Sequence, residues 1–227
     1  MSKRWLREKK RDYYYKKAKE EEYRSRASFK LRQLNERFSL IKRGDKILDL
    51  GAAPGGWMQV AREIAGSRGF VLGVDLAKIQ DFGFENVKSI QGDFTQKETI
   101  ENIKEILPGC DVIISDASPD ISGVWDIDHF RSVELCRSVL TIADGILKPG
   151  GNFLIKIFQG EHTSEFLNEV KKKFGYVKAT KPKASRSGSA EIYIAAKGFA
   201  STTPYPRKEF KKAKIIRRST KNFYTHE

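Results

Sequence analysis

Cysteine, histidine and long apolar stretches are scarce in this 227-residue chain, and each scarcity closes off a class of function. The two cysteines form no CxxC motif. Cys110, at the mouth of a predicted strand, and Cys136, inside a predicted helix, read as small buried apolar residues. His129, His162 and His226 lack the close spacing of a ligand pair, so no metal is expected. No apolar run approaches the roughly 20 residues of a membrane-spanning helix, and no signal-peptide pattern follows Met1. A cytoplasmic protein is expected. Repeats of fixed period and proline-rich or serine-rich linkers are also missing, and the length suits one α/β domain with short extensions.

Acidic residues are too few to balance the basic ones. Lys and Arg total 43 against 29 Asp and Glu, a formal net charge of +14 that points to a polyanionic partner such as nucleic acid. The excess gathers at the ends. Residues 1–26 hold eleven Lys or Arg and five Asp or Glu, interleaved with Trp5, Tyr13, Tyr14, Tyr15 and Tyr23. Cations that meet phosphates, mixed with aromatic faces that stack on unpaired bases, suit RNA. A solvated helical arm whose aromatics pack on the domain is the compatible second reading. Residues 201–227 carry eight Lys or Arg against two acids and no core pattern, which reads as a tail that orders on RNA. The expected organisation is a basic aromatic arm over 1–24, a domain over 25–200 and a basic tail over 201–227.

Between the ends, one stretch organises the rest: KILDLGAAPGGW at 46–57. Ile47, Leu48 and Leu50 have the composition of a buried parallel strand, and Gly51 ends it where the chain bends. Gly55 and Gly56 remove side chains where a ligand or a helix could lie against bare backbone. Just past the carboxyl end of a strand is where open α/β sheets bind ligands. A crossover helix is predicted over 58–65 and a second strand over 70–74, closed by Asp75, which is placed to accept hydrogen bonds from a ribose diol. GAAPGG misses the GxGxxG fingerprint, and Pro54 has no amide to offer a pyrophosphate. The pattern therefore favours a nucleoside cofactor without a diphosphate.

The remaining elements follow in order. Phe29, Leu34, Phe38 and Ile41 give a helical pattern after Ser25, a residue suited to capping, and Lys30 is by default a surface lysine. A strand at 87–91 leads to Asp93, placed to meet an adenine amino group. A helix over 95–107 and a buried strand over 111–115 deliver Asp116 to the same sheet edge. A long helix over 127–147 is ended by a sharp KPGG turn, followed by a strand over 152–157, NFLIKI. Lys156 is embedded in that apolar run and needs a partner, for which Asp116 is one strand away. A helix over 166–174 and a final strand beginning at Glu191, suited to antiparallel pairing, complete the domain.

SRASFKL around Lys30, LDLGAAPGGW, GDF at 92–94, SDASPDISG around Asp116, FLIKIFQGE around Lys156 and KPKASRSGSAEIY around Glu191 occur in this order. Together they resemble the FtsJ/RrmJ family of RNA ribose 2'-O-methyltransferases over about residues 25–199. The resemblance implies an α/β, Rossmann-like methyltransferase fold: a seven-stranded mixed sheet, last strand antiparallel, helices on both faces. It implies S-adenosylmethionine as cofactor, with Gly55 and Trp57 on the methionine side, Asp75 at the ribose, Asp93 near the adenine and Asp116 near the reactive methyl. The family's Lys-Asp-Lys-Glu tetrad falls on Lys30, Asp116, Lys156 and Glu191. No metal is required, because a sulfonium already carries a good leaving group.

Those residue types suit the chemistry. A ribose hydroxyl is a poor nucleophile that must lose a proton as it attacks. A lysine, whose ordinary pKa is about 10.4, serves as acceptor only where apolar burial or a second ammonium favours its neutral form. Asp116 pulls the other way, so Lys156 either takes the proton or orients the hydroxyl and stabilises its developing charge. Glu191 then holds Lys30 or the ribose in place. Family members act on large-subunit ribosomal RNA or on transfer RNA with the same core, and a short single-domain chain with no added module favours a uridine of large-subunit (23S-type) ribosomal RNA; a monomer is expected. Transfer RNA is the alternative target, and a non-catalytic RNA-binding ribosome-assembly factor the alternative class. Ser118 in the loop after Asp116 and the tail past Ala200 depart from the bacterial pattern without touching the tetrad.

Overall fold

The structure is a computed structural model that describes residues 13–200. Two helices, α1 (Tyr13–Glu20) and α2 (Ser28–Phe38), precede β1 (Lys46–Leu50), α3 (Gly56–Ala65), β2 (Phe70–Asp75) and β3 (Val87–Gln91). Then come α4 (Lys97–Ile106), β4 (Cys110–Ser115), α5 (Trp125–Ile146), β5 (Leu147–Phe158), α6 (Thr163–Lys171), β6 (Phe174–Thr180) and β7 (Glu191–Phe199). The strands form one sheet in the order β3-β2-β1-β4-β5-β7-β6. β7 runs antiparallel to both of its neighbours, while β3, β2, β1, β4 and β5 pair parallel.

Alternation along the strands divides the core in two. Leu48, Leu50, Leu72, Val74, Ile113 and Ile155 pack with residues of α4, α5 and α6. Ile47, Val71, Val112, Ile114, Leu154 and Tyr193 pack with α2 and α3 on the other face. Buried on both faces, the central strands read as continuous apolar runs. Strand order reverses between β1 and β4, so a crevice opens at their carboxyl ends.

Several boundaries differ from the sequence reading. KPGG is no turn between elements: β5 begins at Leu147 and absorbs it as a bulge. From Cys110↔Leu147 to Val112↔Asn152, β4 advances two residues and β5 five, with Gly150 at φ 81°. β6 has no counterpart among the predicted strands, because its outward residues are exposed and break the apolar pattern. α6 stops at Lys171, and Phe174 opens β6. α3 begins at Gly56, two residues earlier than predicted, while α4 is shorter at both ends. Ser25 does not cap α2; the N-cap is Ala27, without a side-chain bond, and Ile41 lies beyond the helix.

The described part of the arm is packed on the domain. The Tyr14 and Tyr23 rings each lie 5.5 Å from that of Phe29, and Gln33 Nε2 donates to the Tyr14 hydroxyl at 3.0 Å. Trp5 and the tail at 201–227 lie outside the described residues. Among the described residues no helix is long and apolar enough to cross a membrane.

Candidate active site

Four charged side chains from four elements meet beside the crevice. Lys30 comes from α2, Asp116 from the residue after β4, Lys156 from β5 and Glu191 from the start of β7. Lys30 is not the surface lysine its local sequence suggests; only 8% of it is exposed, and Lys156 is buried too. Lys30 Nζ lies 3.1 Å from Glu191 Oε2 and 3.7 Å from Asp116 Oδ2. Lys156 Nζ lies 3.4 Å from Asp116 Oδ1 and 3.6 Å from Glu191 Oε1, and donates to the Asp116 carbonyl at 2.8 Å. The pairing expected for Lys156 and Asp116 is present. The four side chains close a ring in which each lysine faces both carboxylates. Burial pushes the Glu191 carboxyl up, but Lys30 and Lys156 together outweigh it and hold the group below its ordinary range.

Tyr193 is a fifth member that sequence reading left among the strand residues. Its hydroxyl donates to Asp116 Oδ1 at 2.7 Å, and Lys30 Nζ sits 5.5 Å from its ring centre. Burial, then the charges of Asp116 and Glu191, push its phenol far above the usual range, so it stays a donor. The only sequence signal was its place two residues after Glu191, on the same face of β7.

A cavity of about 300 Å³ adjoins the ring, walled by Gly51, Ala53, Asp75, Asp93, Phe94 and Asp116. Gly51 has φ 76°, and a Cβ there would stand 2.5 Å from Ala117 Cβ, so glycine lets the loop after β4 close on the turn after β1. Asp75 is anchored by the amides of Ala53 (2.9 Å) and Ala77 (2.8 Å), one to each oxygen, leaving lone pairs for a diol. Asp93 Oδ1 accepts from Thr95 N and Oγ1, which lowers its pKa.

Gly55, Gly56 and Trp57 face elsewhere. A Cβ on Gly55 would meet Phe82 and Arg24, and one on Gly56 would stand 2.2 Å from Ser25 Oγ and 2.8 Å from Ser28 Oγ. The indole of Trp57 is buried and donates to the Ala27 carbonyl at 2.8 Å. The bare backbone at 55–56 therefore receives the segment that carries Lys30, held by Ser28 Oγ donating to the Gly56 carbonyl at 2.9 Å. Contacts from these three residues to a cofactor are left to their main chain.

The FtsJ-like methyltransferase family profile matches residues 23–199. The chain is 52% identical over 218 residues to the ribosomal RNA large subunit methyltransferase E of Methanocaldococcus jannaschii, covering 94% of this chain and 89% of that one. It is 51% identical over 208 residues to the protein of that name from Methanothermobacter thermautotrophicus, covering 91% and 99%. The chain belongs to the FtsJ-like methyltransferase family. A solved chain named as a candidate ribosomal RNA methyltransferase from Plasmodium falciparum superimposes with TM-score 0.69 at 31% identity, over 79% of this chain and all of that one. Aeropyrum pernix fibrillarin, solved with natively bound S-adenosylmethionine, shares the fold at TM-score 0.53 and 21% identity, over 69% and 68%.

S-adenosylmethionine is the methyl donor of this methyltransferase, and the crevice fits it. Asp75 suits the ribose diol, and a turn containing Pro54 suits a ligand without diphosphate. Asp49 adds a feature that sequence reading counted only as part of the motif. It is wholly buried on β1, and neither carboxylate oxygen has a partner among the described residues. Burial, then the charges of Asp116 and Asp75, push its pKa far up. Among the described residues no cluster of His, Cys, Asp and Glu could hold a metal ion.

Proposed function

We propose that the chain transfers the methyl of S-adenosylmethionine to the 2'-hydroxyl of a ribose in RNA, a uridine of large-subunit ribosomal RNA. The convergence of Lys30, Asp116, Lys156 and Glu191 into one ring of alternating lysines and carboxylates beside the cavity carries this reading. The names of the relatives point to the ribosomal target, and the +14 charge suits a polyanion.

S-adenosylmethionine supplies an electrophilic methyl on a sulfonium. The residues of the chain handle the hydroxyl. Gly51, Asp75 and Asp93, with Asp49 beneath them and the main chain at 55–57, hold the cofactor. Lys156 Nζ donates to the Asp116 carbonyl at 2.8 Å and stands at the longer distances of 3.4 and 3.6 Å from Asp116 Oδ1 and Glu191 Oε1, which leaves a donor for a substrate oxygen. Through that donor Lys156 holds the attacking oxygen, orients it and stabilises charge as the O–H bond weakens. The hydroxyl proton passes to the Asp116 carboxylate, whose Oδ1 is set in place by Tyr193. Lys30 and Glu191 fix the positions of the other two, and Glu191 faces the ribose.

Incubation with methyl-labelled cofactor and ribosomal RNA, followed by mapping of alkali-resistant linkages, tests the reading. Wild type should label one ribose; Lys156→Ala and Asp116→Ala should reduce transfer by more than 100-fold with cofactor affinity retained in Lys156→Ala. Label on a base, or wild-type rates in Lys156→Ala, would remove it. A rate that climbs with unit slope from pH 6 to 9 would move the proton from Asp116 to a neutral Lys156.

A further inference from the structure

Two cavities open beside Glu191, and they differ in chemistry. One, of about 690 Å³, is lined by Arg26, Lys30, Arg186 and the small residues 187–189. The other, of about 370 Å³, is lined by Ile121, Gly123, Trp125, Phe158, Ala190 and Glu191, with Asp128 beneath. The first suits phosphate. The second is apolar and aromatic, and the mechanism above makes no use of it.

Trp125, the first residue of α5, is 47% exposed although it is one of the largest apolar side chains, and Ile121, which lines the same cavity, is exposed as well. Exposed apolar side chains that share one cavity mark an interaction site, where scattered ones would not. The patch is built on fixed supports. The Trp125 ring stacks on Phe158 at 6.1 Å and 25° and on His129 at 6.3 Å and 16°, and His129 stacks on His162 at 5.7 Å and 3°. His129 Nε2 accepts from the His162 amide at 3.0 Å, leaving its Nδ1 to donate to the Phe158 carbonyl at 3.1 Å. Asp128 accepts from the amide and hydroxyl of Ser122 and from the amide of Gly123, which pins the loop bearing Ile121 and Val124. The supports beneath the aromatic surface, His129 and Asp128, have their side-chain polar atoms bonded internally.

Resting on the RNA reading above, we propose that Trp125 and the loop at 121–124 form a stacking subsite for an unpaired nucleobase next to the ribose held at the tetrad. Base–aromatic stacking needs a flat, half-exposed ring, and Trp125 presents one within the cavity that Glu191 also lines. Asp120 and Asp126 are exposed in the same segment, so a phosphate is repelled there while a neutral base is not. An RNA strand crossing the tetrad sets its phosphates toward Arg26 and Arg186 and a flanking base on Trp125.

The test is fluorescence anisotropy of the full chain with labelled octauridylate and with an abasic oligomer of equal length. Trp125→Ala and Trp125→Leu should weaken octauridylate binding about 5- to 100-fold and leave the abasic oligomer unchanged, while Trp125→Phe restores most of the affinity. Thermal melts of the three variants confirm that they fold, and Leu and Phe keep the comparison alive if Ala does not. Equal octauridylate affinity in wild type and Trp125→Leu overturns the proposal, as does equal loss on the abasic oligomer. A sedimentation change in Trp125→Leu without any change in RNA binding overturns it in favour of a protein contact. These readouts need no methyl transfer. Base-dependent binding through Trp125 in a chain that labels no RNA would keep the subsite and remove the enzymatic reading, and the reverse pattern would remove the subsite alone.

Discussion

Replacing Lys30 by methionine probes the charge ring at its most informative point. The substitution keeps the length of a side chain that is nearly buried on α2 and deletes one of two cations facing two carboxylates. Removing one partner of a buried pair costs about 3–5 kcal/mol, because the other charge is left uncompensated. With Lys156 still facing both carboxylates, the lower end applies, and about 3 kcal/mol corresponds to a fall in Tm of roughly 6–12 °C for a domain of this size. Glu191 sets the pH dependence. Its folded pKa lies below the unfolded value, so it contributes stability that is complete above about pH 4.3 and is lost as pH falls through the folded pKa. Lys30 is the largest of the charges holding it down, so without it the carboxyl rises relative to wild type. The deficit of Lys30→Met should therefore be full at neutral pH and shrink as the solution is acidified, because the variant's Glu191 takes up its proton before that of the wild type. Adding Glu191→Gln leaves one cation facing one anion, and the double variant should recover about 1–2 kcal/mol. Calorimetry from pH 4 to 8 on the wild type, both single variants and the double variant measures all of this. Additive losses in the double variant, or a deficit independent of pH, would refute the charge-ring argument.

Three further outcomes are expected. Asp49→Asn should weaken S-adenosylmethionine binding about tenfold by calorimetric titration. Because the folded pKa of Asp49 is raised, its ionisation opposes folding above about pH 3.9, so the variant's stability relative to wild type should rise as pH increases from there; a flat difference would contradict its burial. Gly56→Ala places a methyl 2.2 Å from Ser25 Oγ and should cost about 1–3 kcal/mol while displacing Lys30, so methyl transfer should fall further than cofactor affinity; wild-type activity would show that the segment yields freely. Deleting residues 201–227, which carry eight Lys or Arg against two acids, should flatten the salt dependence of RNA binding and leave cofactor affinity unchanged, and equal slopes would remove the tail from the RNA surface.

Much of this protein was legible in its residues. Continuous apolar runs ending in Gly51, Asp75 and Asp116 marked parallel strands that deliver their polar ends to one edge, because a strand buried on both faces has little choice of composition. The absence of GxGxxG and the presence of Asp75 pointed to a nucleoside cofactor from local backbone chemistry alone. β6 escaped because an edge strand with exposed residues carries no period, and the KPGG bulge because punctuation residues mark a bulge as readily as a turn.

What the sequence by itself determined was the order of elements and the residue types available at each strand end, since both follow from interactions between near neighbours in the chain. Tertiary structure decided which of those residues meet. Lys30 and Glu191 bond across 161 positions, and Tyr193 reaches Asp116 across 77. The glycines at 55–56 make room for the segment that buries Lys30, with the Trp57 indole clamped behind them. Each of these depends on packing between elements remote in sequence, where burial and opposite charge choose the partner and local propensity has no influence.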